Sequence, residues 1–322
     1  MKPKVLLSED INPAGKNLLK KQFEILIAPN TSEETLLKMI PDVFGIILRA
    51  TSKVNGSVIE KAEKLKVVAR TGVGVDNVDI DVASKRGIYV CYTPGMNNIT
   101  VAEQTLAMIL GLAKQIIHMD RSVRTQCWYE RFSEKQAEIE GKTLGIVGLG
   151  AIGLTVARKC GPGLGMQILA YDPLVSQQIE ESYIRFAESL EKLFQEADFI
   201  TIHTPNIPEN RGLINRGLLS QMKKSAYFIN TARGELVDEQ ALIELLQQHK
   251  IAGAALDVFL TEPLPANSPF MKMDNVLLAP HVAGSTWESN VRIAESAARA
   301  VLDVWEGRMP EFVYNKDLLV ST

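Results

Sequence analysis

Short runs of branched apolar residues alternate along this chain with mixed polar and apolar stretches of helical length. In the first part the apolar runs are Val5-Leu6-Leu7, Phe23 to Ile27, Phe44 to Leu48, Val67 to Ala69 and Ile88 to Cys91. Helix-like segments separate them at Thr31 to Met39, Gly56 to Lys64 and Asp79 to Lys85. Thr31 and Glu34 predict a capping box for the first of these. A second series begins at Lys142, with runs at Leu144 to Val147, Gln167 to Tyr171, Phe199 to His203, Ala226 to Asn230, Ala252 to Leu256 and Val276 to Ala279. This β-α-β-α rhythm predicts parallel sheets covered by helices, and the six strands of the second series match the count of a doubly wound dinucleotide fold. No internal sequence repeat stands out.

Between the two series lies Asn97 to His118, where Thr100-Val101-Ala102-Glu103 predicts a capping box. Leu106 to Leu110 then continues a helix apolar on most of its surface, which should be buried. It reads as the connector from one domain to the other, ending near His118. After Ser285 the chain turns helical again, with Ile293, Ala297, Ala300, Val301 and Val304 on one stripe. That tail is expected to pack back on the first domain, making the domains discontinuous.

Length and charge narrow the class. At about 150 residues per domain, 322 residues predict two domains. Lys plus Arg number 35 against 38 Asp plus Glu, a net charge of −3, so the basic field that nucleic-acid binding relies on is missing. No apolar run approaches the roughly 18 residues a membrane span needs. The opening Met1 to Asp10 turns acidic too soon for a secretory signal. Cysteines at 91, 127 and 160 fit no metal or disulfide framework, and an odd count suits a reducing compartment. A soluble cytoplasmic protein, without a metal, a nucleic acid or a membrane as partner, is the expectation.

The sequence Gly148-Leu149-Gly150-Ala151-Ile152-Gly153 matches G-x-G-x-x-G with a strand before it and a helix after it. The first glycine permits the tight turn, the second lets the backbone approach a pyrophosphate, and the third lets helix and strand pack closely. Unpaired N–H groups and the positive dipole end of the helix then meet the phosphates. Asp172 falls 19 residues after Gly153, at the end of the second strand. A carboxylate there accepts hydrogen bonds from ribose hydroxyls and repels a 2′-phosphate. The following Pro173-Leu174-Val175-Ser176 brings no cation to neutralise one. These residues predict NAD rather than NADP.

A nicotinamide enzyme acting on an alcohol also needs a proton carrier, a group that tunes it, and a cation for any substrate carboxylate. Ligands of open α/β sheets bind outside the carboxyl ends of the strands. His281 follows the run Val276 to Ala279 and Pro280, while His203 follows another strand and competes with it. His118 and the His249 of a polar stretch are weaker. Glu262 lies in Thr261-Glu262-Pro263 after the strand preceding Asp257; a carboxylate against an imidazole favours the imidazolium and fixes the ring. Arg233, in Asn230-Thr231-Ala232-Arg233-Gly234, could grip a carboxylate with its planar fork. Singly, Glu262 reads equally well as a solvated loop residue and Arg233 as a surface cation; together, past a dinucleotide turn, they point to chemistry. A second glycine turn, Arg70 to Asn77, lacks the third glycine of a dinucleotide fingerprint. Its N–H groups could nest an anion, or Asp76 could simply cap the next helix. Arg49, after the run Phe44 to Leu48, could face the same cleft.

In order along the chain, Val147 to Gly153, Asn230 to Gly234, Ala255 to Phe259, Glu262-Pro263-Leu264 and Pro280 to Gly284 resemble the NAD-dependent D-2-hydroxyacid dehydrogenases. Arg70 to Asp79, Tyr92-Thr93-Pro94 and Val101-Ala102-Glu103 are most similar to the D-3-phosphoglycerate dehydrogenase branch. The resemblance runs from about Arg49 to about Tyr314. It implies an α/β fold of two doubly wound parallel-sheet domains. A Rossmann NAD-binding domain, 98–287, would be inserted into a flavodoxin-like substrate-binding domain, 1–97 and 288–322, with the active site in the cleft. By the same resemblance His281 is the acid/base, Glu262 its partner and Arg233 the carboxylate anchor. Val73 and Gly74 would offer backbone donors to the substrate, and Arg49 and Asn97 would help bind it. Asp257 would contact the nicotinamide carboxamide. The remaining cofactor contacts would come from Gly148, Gly150, Ala151, Ile152, Gly153, Asp172, His203, Thr204, Pro205, Thr231, Ala232 and Gly284.

The implied activity is hydride transfer between NAD and C2 of a D-2-hydroxy acid, with 3-phosphoglycerate and serine biosynthesis foremost. A glyoxylate/hydroxypyruvate reductase is the alternative. Formate- or phosphonate-type dehydrogenases and an NAD-sensing corepressor are further members of the same superfamily, the last without its peptide-binding features here. A homodimer or homotetramer is implied. Gln126 stands where relatives often carry glycine, and Cys160 to Gly165 reads as a glycine-rich link between helix and strand. Long phosphoglycerate dehydrogenases add a regulatory domain past the point where this sequence stops, so control through one is not expected.

Overall fold

The computed structural model describes residues 2–49, 51–132, 136–175 and 181–319. Ser176 lies outside these, as does Thr322. The chain divides into two compact units, Met1–Asn97 with Ser285–Thr322, and Asn98–Gly284.

The first unit alternates β1 (Lys4–Leu7), α1 (Pro13–Leu19), β2 (Glu24–Ile27), α2 (Glu33–Met39), β3 (Val43–Leu48), α3 (Gly56–Lys61), β4 (Val67–Arg70), α4 (Ile80–Lys85) and β5 (Tyr89–Cys91). Each strand is three to six residues of branched apolar chain, stiff at χ1 and suited to a pleated, doubly covered surface. The sheet order is β2-β1-β3-β4-β5 with every pair parallel. This is the 2-1-3-4-5 order of flavodoxin-like folds. The late helix Trp287–Trp305 packs on this sheet: Ala294, Ala297, Ala298, Ala300 and Val301 share one core with Val5, Leu7, Ile47 and Val67. Small residues on that stripe let it lie close; a Cβ on Gly15 of α1 would sit 2.5 Å from the Ala294 carbonyl oxygen.

The second unit opens with α5 (Asn98–Ala113) and α6 (Ile116–Arg124). There follow β6 (Thr143–Val147), α7 (Ala151–Leu164), β7 (Gln167–Tyr171), β8 (Ile184–Phe186), α8 (Leu190–Glu196) and β9 (Phe199–Ile202). The unit continues through α9 (Arg216–Leu219), β10 (Tyr227–Asn230), α10 (Glu239–Gln247), β11 (Gly253–Leu256) and β12 (Val276–Leu278). Seven parallel strands are ordered β12-β11-β10-β9-β6-β7-β8. Read from its own first strand, this is the 3-2-1-4-5-6 Rossmann order with one strand added. The switch point lies between β6 and β9, beside the glycine turn. Two apolar cores flank the sheet, one built on α8 and α10, the other on α5 and α7.

Several local expectations are corrected. The cap of α2 is Ser32, whose side chain accepts from the Thr35 amide; Asn30 accepts from both Ser32 and Thr35 and moves the start one residue past Thr31. Thr100 is not at the predicted N-cap: α5 already starts at Asn98, which places Thr100 buried within its first turn. The connector breaks at Gln115, which is left-handed at φ 50°, so His118 opens a separate helix instead of ending the first. Asp79, not Asp76, caps α4. Cys160 to Leu164 is the last part of α7, with left-handed Gly165 as its C-cap. Gly161 is required there, since the Tyr183 ring occupies the place of a side chain.

Candidate active site

At the carboxyl end of β6 the chain turns through Gly148 at φ 89° into α7. A Cβ on Gly148 would lie 2.8 Å from the His203 backbone, and one on Gly153 would collide with the Gly148 carbonyl. A Cβ on Gly150 would meet nothing within 4 Å. The first and third glycines are thus demanded by the fold, while the second leaves an open backbone face. Gly150 is also the N-cap of α7 and supplies no side-chain acceptor to its first-turn N–H groups. Asp172, immediately after β7, accepts the Leu149 amide on Oδ2 at 2.8 Å and the Leu174 amide on Oδ1 at 2.9 Å. Its carboxylate is locked beside the glycine turn and still has lone pairs for a diol. A clear backbone face, a helix start with no side-chain cap and a fixed acid fit an adenine dinucleotide.

Three neighbouring strands end in turns that present the other predicted residues. After β10, Arg233 begins a short 3-10 turn, and its Nη1 donates to the Ala232 carbonyl at 2.7 Å. Asn230, unremarked in the sequence, closes that turn with two side-chain hydrogen bonds to its backbone. After β11, Glu262 accepts from the Phe259 amide on Oε1 at 3.0 Å. After β12, His281 Nδ1 meets Glu262 Oε2 at 2.7 Å. The pairing uses the inner ring nitrogen and leaves Nε2 for proton exchange.

Charge on Glu262 follows from competing causes. Partial burial pushes its carboxyl up, but the hydrogen bond from His281, the one from the Phe259 amide and the charges of His281 and Arg233 together hold it below the usual range. Asp257 lies wholly buried. Desolvation raises its carboxyl, against hydrogen bonds from the Val282 amide at 2.9 Å and the Ala283 amide at 2.8 Å. Its backbone carbonyl accepts from the His281 amide at 2.8 Å. These contacts hold His281 in a left-handed conformation, φ 54°, that a non-glycine residue adopts at a cost of about 1–2 kcal/mol. Asp257 therefore spends its two oxygens on the loop that carries His281. The ring of the competitor, His203, is 3.1 Å from the Thr201 hydroxyl, and desolvation pushes its imidazole down to about 3. No carboxylate is bonded to it among the described residues.

In the first unit, the Arg49 Nη1 donates to the Asp10 carbonyl at 3.0 Å and its own carbonyl accepts from Asn77 Nδ2 at 2.8 Å. Val73 and Gly74 sit in the exposed turn after β4. The Asn97 Oδ1 is buried without a hydrogen bond. Among the described residues no cluster of acids, histidines and cysteines is disposed to hold a metal, and no helix is long and apolar enough to cross a membrane.

Residues 106–283 match a family model described as D-isomer specific 2-hydroxyacid dehydrogenase, NAD binding domain. A glyoxylate reductase of Thermofilum pendens is 40% identical over 327 residues, spanning 99% of this chain and 96% of that protein. The chain belongs to the D-2-hydroxyacid dehydrogenases. NAD is the cofactor of this dehydrogenase. Human D-3-phosphoglycerate dehydrogenase is likewise 40% identical to it, over 319 residues that span 99% of the chain. The chain spans only 59% of the human enzyme and 58% of its Archaeoglobus fulgidus counterpart. A crystal structure from Thermus thermophilus superposes with a TM-score of 0.89 at 34% identity, covering 97% of this chain and 99% of that one.

Proposed function

We propose that this dehydrogenase interconverts a short D-2-hydroxy acid and its 2-oxo acid, with His281 as acid/base, Glu262 as its partner and Arg233 as carboxylate anchor. The 2.7 Å contact of His281 Nδ1 with Glu262 Oε2, at strand ends beyond a dinucleotide turn, carries the reading. Bound NAD supplies the acceptor, and in reduced form the donor, of the C2 hydride. During oxidation His281 Nε2 takes the hydroxyl proton; during reduction it returns that proton to the carbonyl oxygen. Glu262 stabilises the imidazolium, and Arg233 holds the carboxylate and favours the developing oxyanion. The Gly150 face and the first turn of α7, through Ala151, Ile152 and Gly153, hold the pyrophosphate, with Asp172 on the ribose hydroxyls. Arg49, Val73, Gly74 and Asn97 serve as substrate ligands.

For the substrate, 3-phosphoglycerate comes first, on the similarity of Arg70 to Asp79 and on Arg49 with Lys53 as cations for a phosphate. Glyoxylate or hydroxypyruvate is the second reading, favoured by the Thermofilum relative that matches nearly end to end. Comparing kcat/KM for 3-phosphohydroxypyruvate, hydroxypyruvate and glyoxylate separates them. Arg49→Ala should penalise the phosphorylated acid most; an equal loss on all three removes the phosphate role. His281→Ala should lower kcat by orders of magnitude while NADH still binds, and near-normal turnover would hand the proton to another group.

A further inference from the structure

The turn that presents Arg233 is built by one buried carboxamide. Asn230, the last residue of β10, is 2% exposed. Its Nδ2 donates to the Arg233 carbonyl at 2.8 Å, and its Oδ1 accepts from the Ala232 amide at 3.0 Å. The Asn230 carbonyl accepts from the Asp257 amide at 3.0 Å, which ties the same residue to β11. Two further contacts pin the turn. The buried Thr231 hydroxyl lies 3.0 Å from that of Thr105 on α5. Gly234 rests so closely on the Phe259–Leu260 backbone that no side chain would fit.

We propose that Asn230 is a positioning residue for the dehydrogenase reaction, setting the backbone from which Arg233 reaches the substrate carboxylate. The inference rests on the carboxylate-anchor role proposed for Arg233. Two needs decide the residue type. One planar group must donate to a carbonyl and accept from an amide at once, and among side chains of this length only a carboxamide does both. Aspartate would keep the bond from Ala232 but set an oxygen against the Arg233 carbonyl. Alanine would lose both bonds and leave the Arg233 carbonyl and the Ala232 amide without their partner. The turn would then relax, and a displacement of about 1 Å at an anchoring group costs on the order of 100-fold.

Steady-state kinetics with the best of the three 2-oxo acids, beside NADH titration by fluorescence, tests this. Asn230→Asp, which keeps the volume, and Asn230→Ala should each raise KM for the acid on the order of 10- to 100-fold. The Kd for NADH should move far less, and a merely structural role would not separate the two. The double variant with Arg233→Ala should be no worse than Arg233→Ala alone, because the staple has nothing left to place. A wild-type KM in Asn230→Asp, equal shifts in KM and Kd, or losses that multiply in the double variant would each overturn the assignment. If Arg233→Ala itself leaves KM unchanged, the anchor role falls first and the staple's role falls with it.

Discussion

His203 and His281 both stand just past a strand, and their surroundings divide them. His203 is half-buried, bonded to a hydroxyl, and kept neutral by desolvation, which pushes its imidazole from an ordinary 6.5 down to about 3. An unfolded chain protonates this ring near 6.5 while the folded one does not until about 3. Over that window the unfolded state binds more protons, so stability that is complete above 6.5 drains away as the pH falls. His203→Asn, measured by urea unfolding at a series of pH values, should show a shallower acid limb than the parent; an unchanged slope would refute the burial argument. Glu262 acts in the same sense, at lower pH. Its lowered folded value means its contribution is present above the ordinary carboxylate range and is lost only as the pH falls through that lowered value. That His281, Glu262 and Arg233 sit past strand ends was legible in the sequence, because a strand followed by a loop shows where a side chain is delivered. Asn230 was not. Its partners are backbone atoms two and three residues away, and nothing in a string of letters tells a turn-closing asparagine from a solvated one.

At the level of elements, the strand-turn-helix at β6 and α7 makes a differential forecast. Gly150→Ala adds a methyl group where nothing stands within 4 Å, so the melting temperature should hold while NADH affinity falls. Gly153→Ala drives a methyl into the Gly148 carbonyl, so the melting temperature should fall as well. Differential scanning fluorimetry beside NADH titration reads both, and identical behaviour of the two variants would contradict the roles given to these glycines. The same scale shows where pattern reading stops. Five strands of the first sheet and six of the second were visible as apolar runs. β8 was not, because it is three residues long with only Ile184 buried. The Gly-Pro-Gly of α7 suggested a loop; packing against Tyr183 keeps it helical, and tertiary contact overrides local propensity.

For the whole molecule, the strand orders were within reach because βαβ crossovers are right-handed and sequential. From the residues themselves, the insertion of one unit into the other was signalled by the connector at Asn97 to His118 and the apolar stripe after Ser285, and the family resemblance implied it. Asn98–Gly284 is continuous and has its own apolar cores on both sides of its sheet. Expressed alone, it should fold and bind NADH with a Kd close to that of the full chain, without turning over any acid. A fragment that stays unfolded by circular dichroism would show that this unit needs the other. The first unit is not continuous in sequence: its own helix Trp287–Trp305, with α1, covers one side of its sheet. During synthesis, then, the ribosome releases the opening ninety-odd residues with one apolar sheet face only partly covered, by α1. That face waits while the entire nucleotide-binding unit is made, and is fully covered only when the last long helix leaves the exit tunnel. The lobe begun first is finished last, and the interval is when this chain is most exposed to aggregation or to capture by a chaperone.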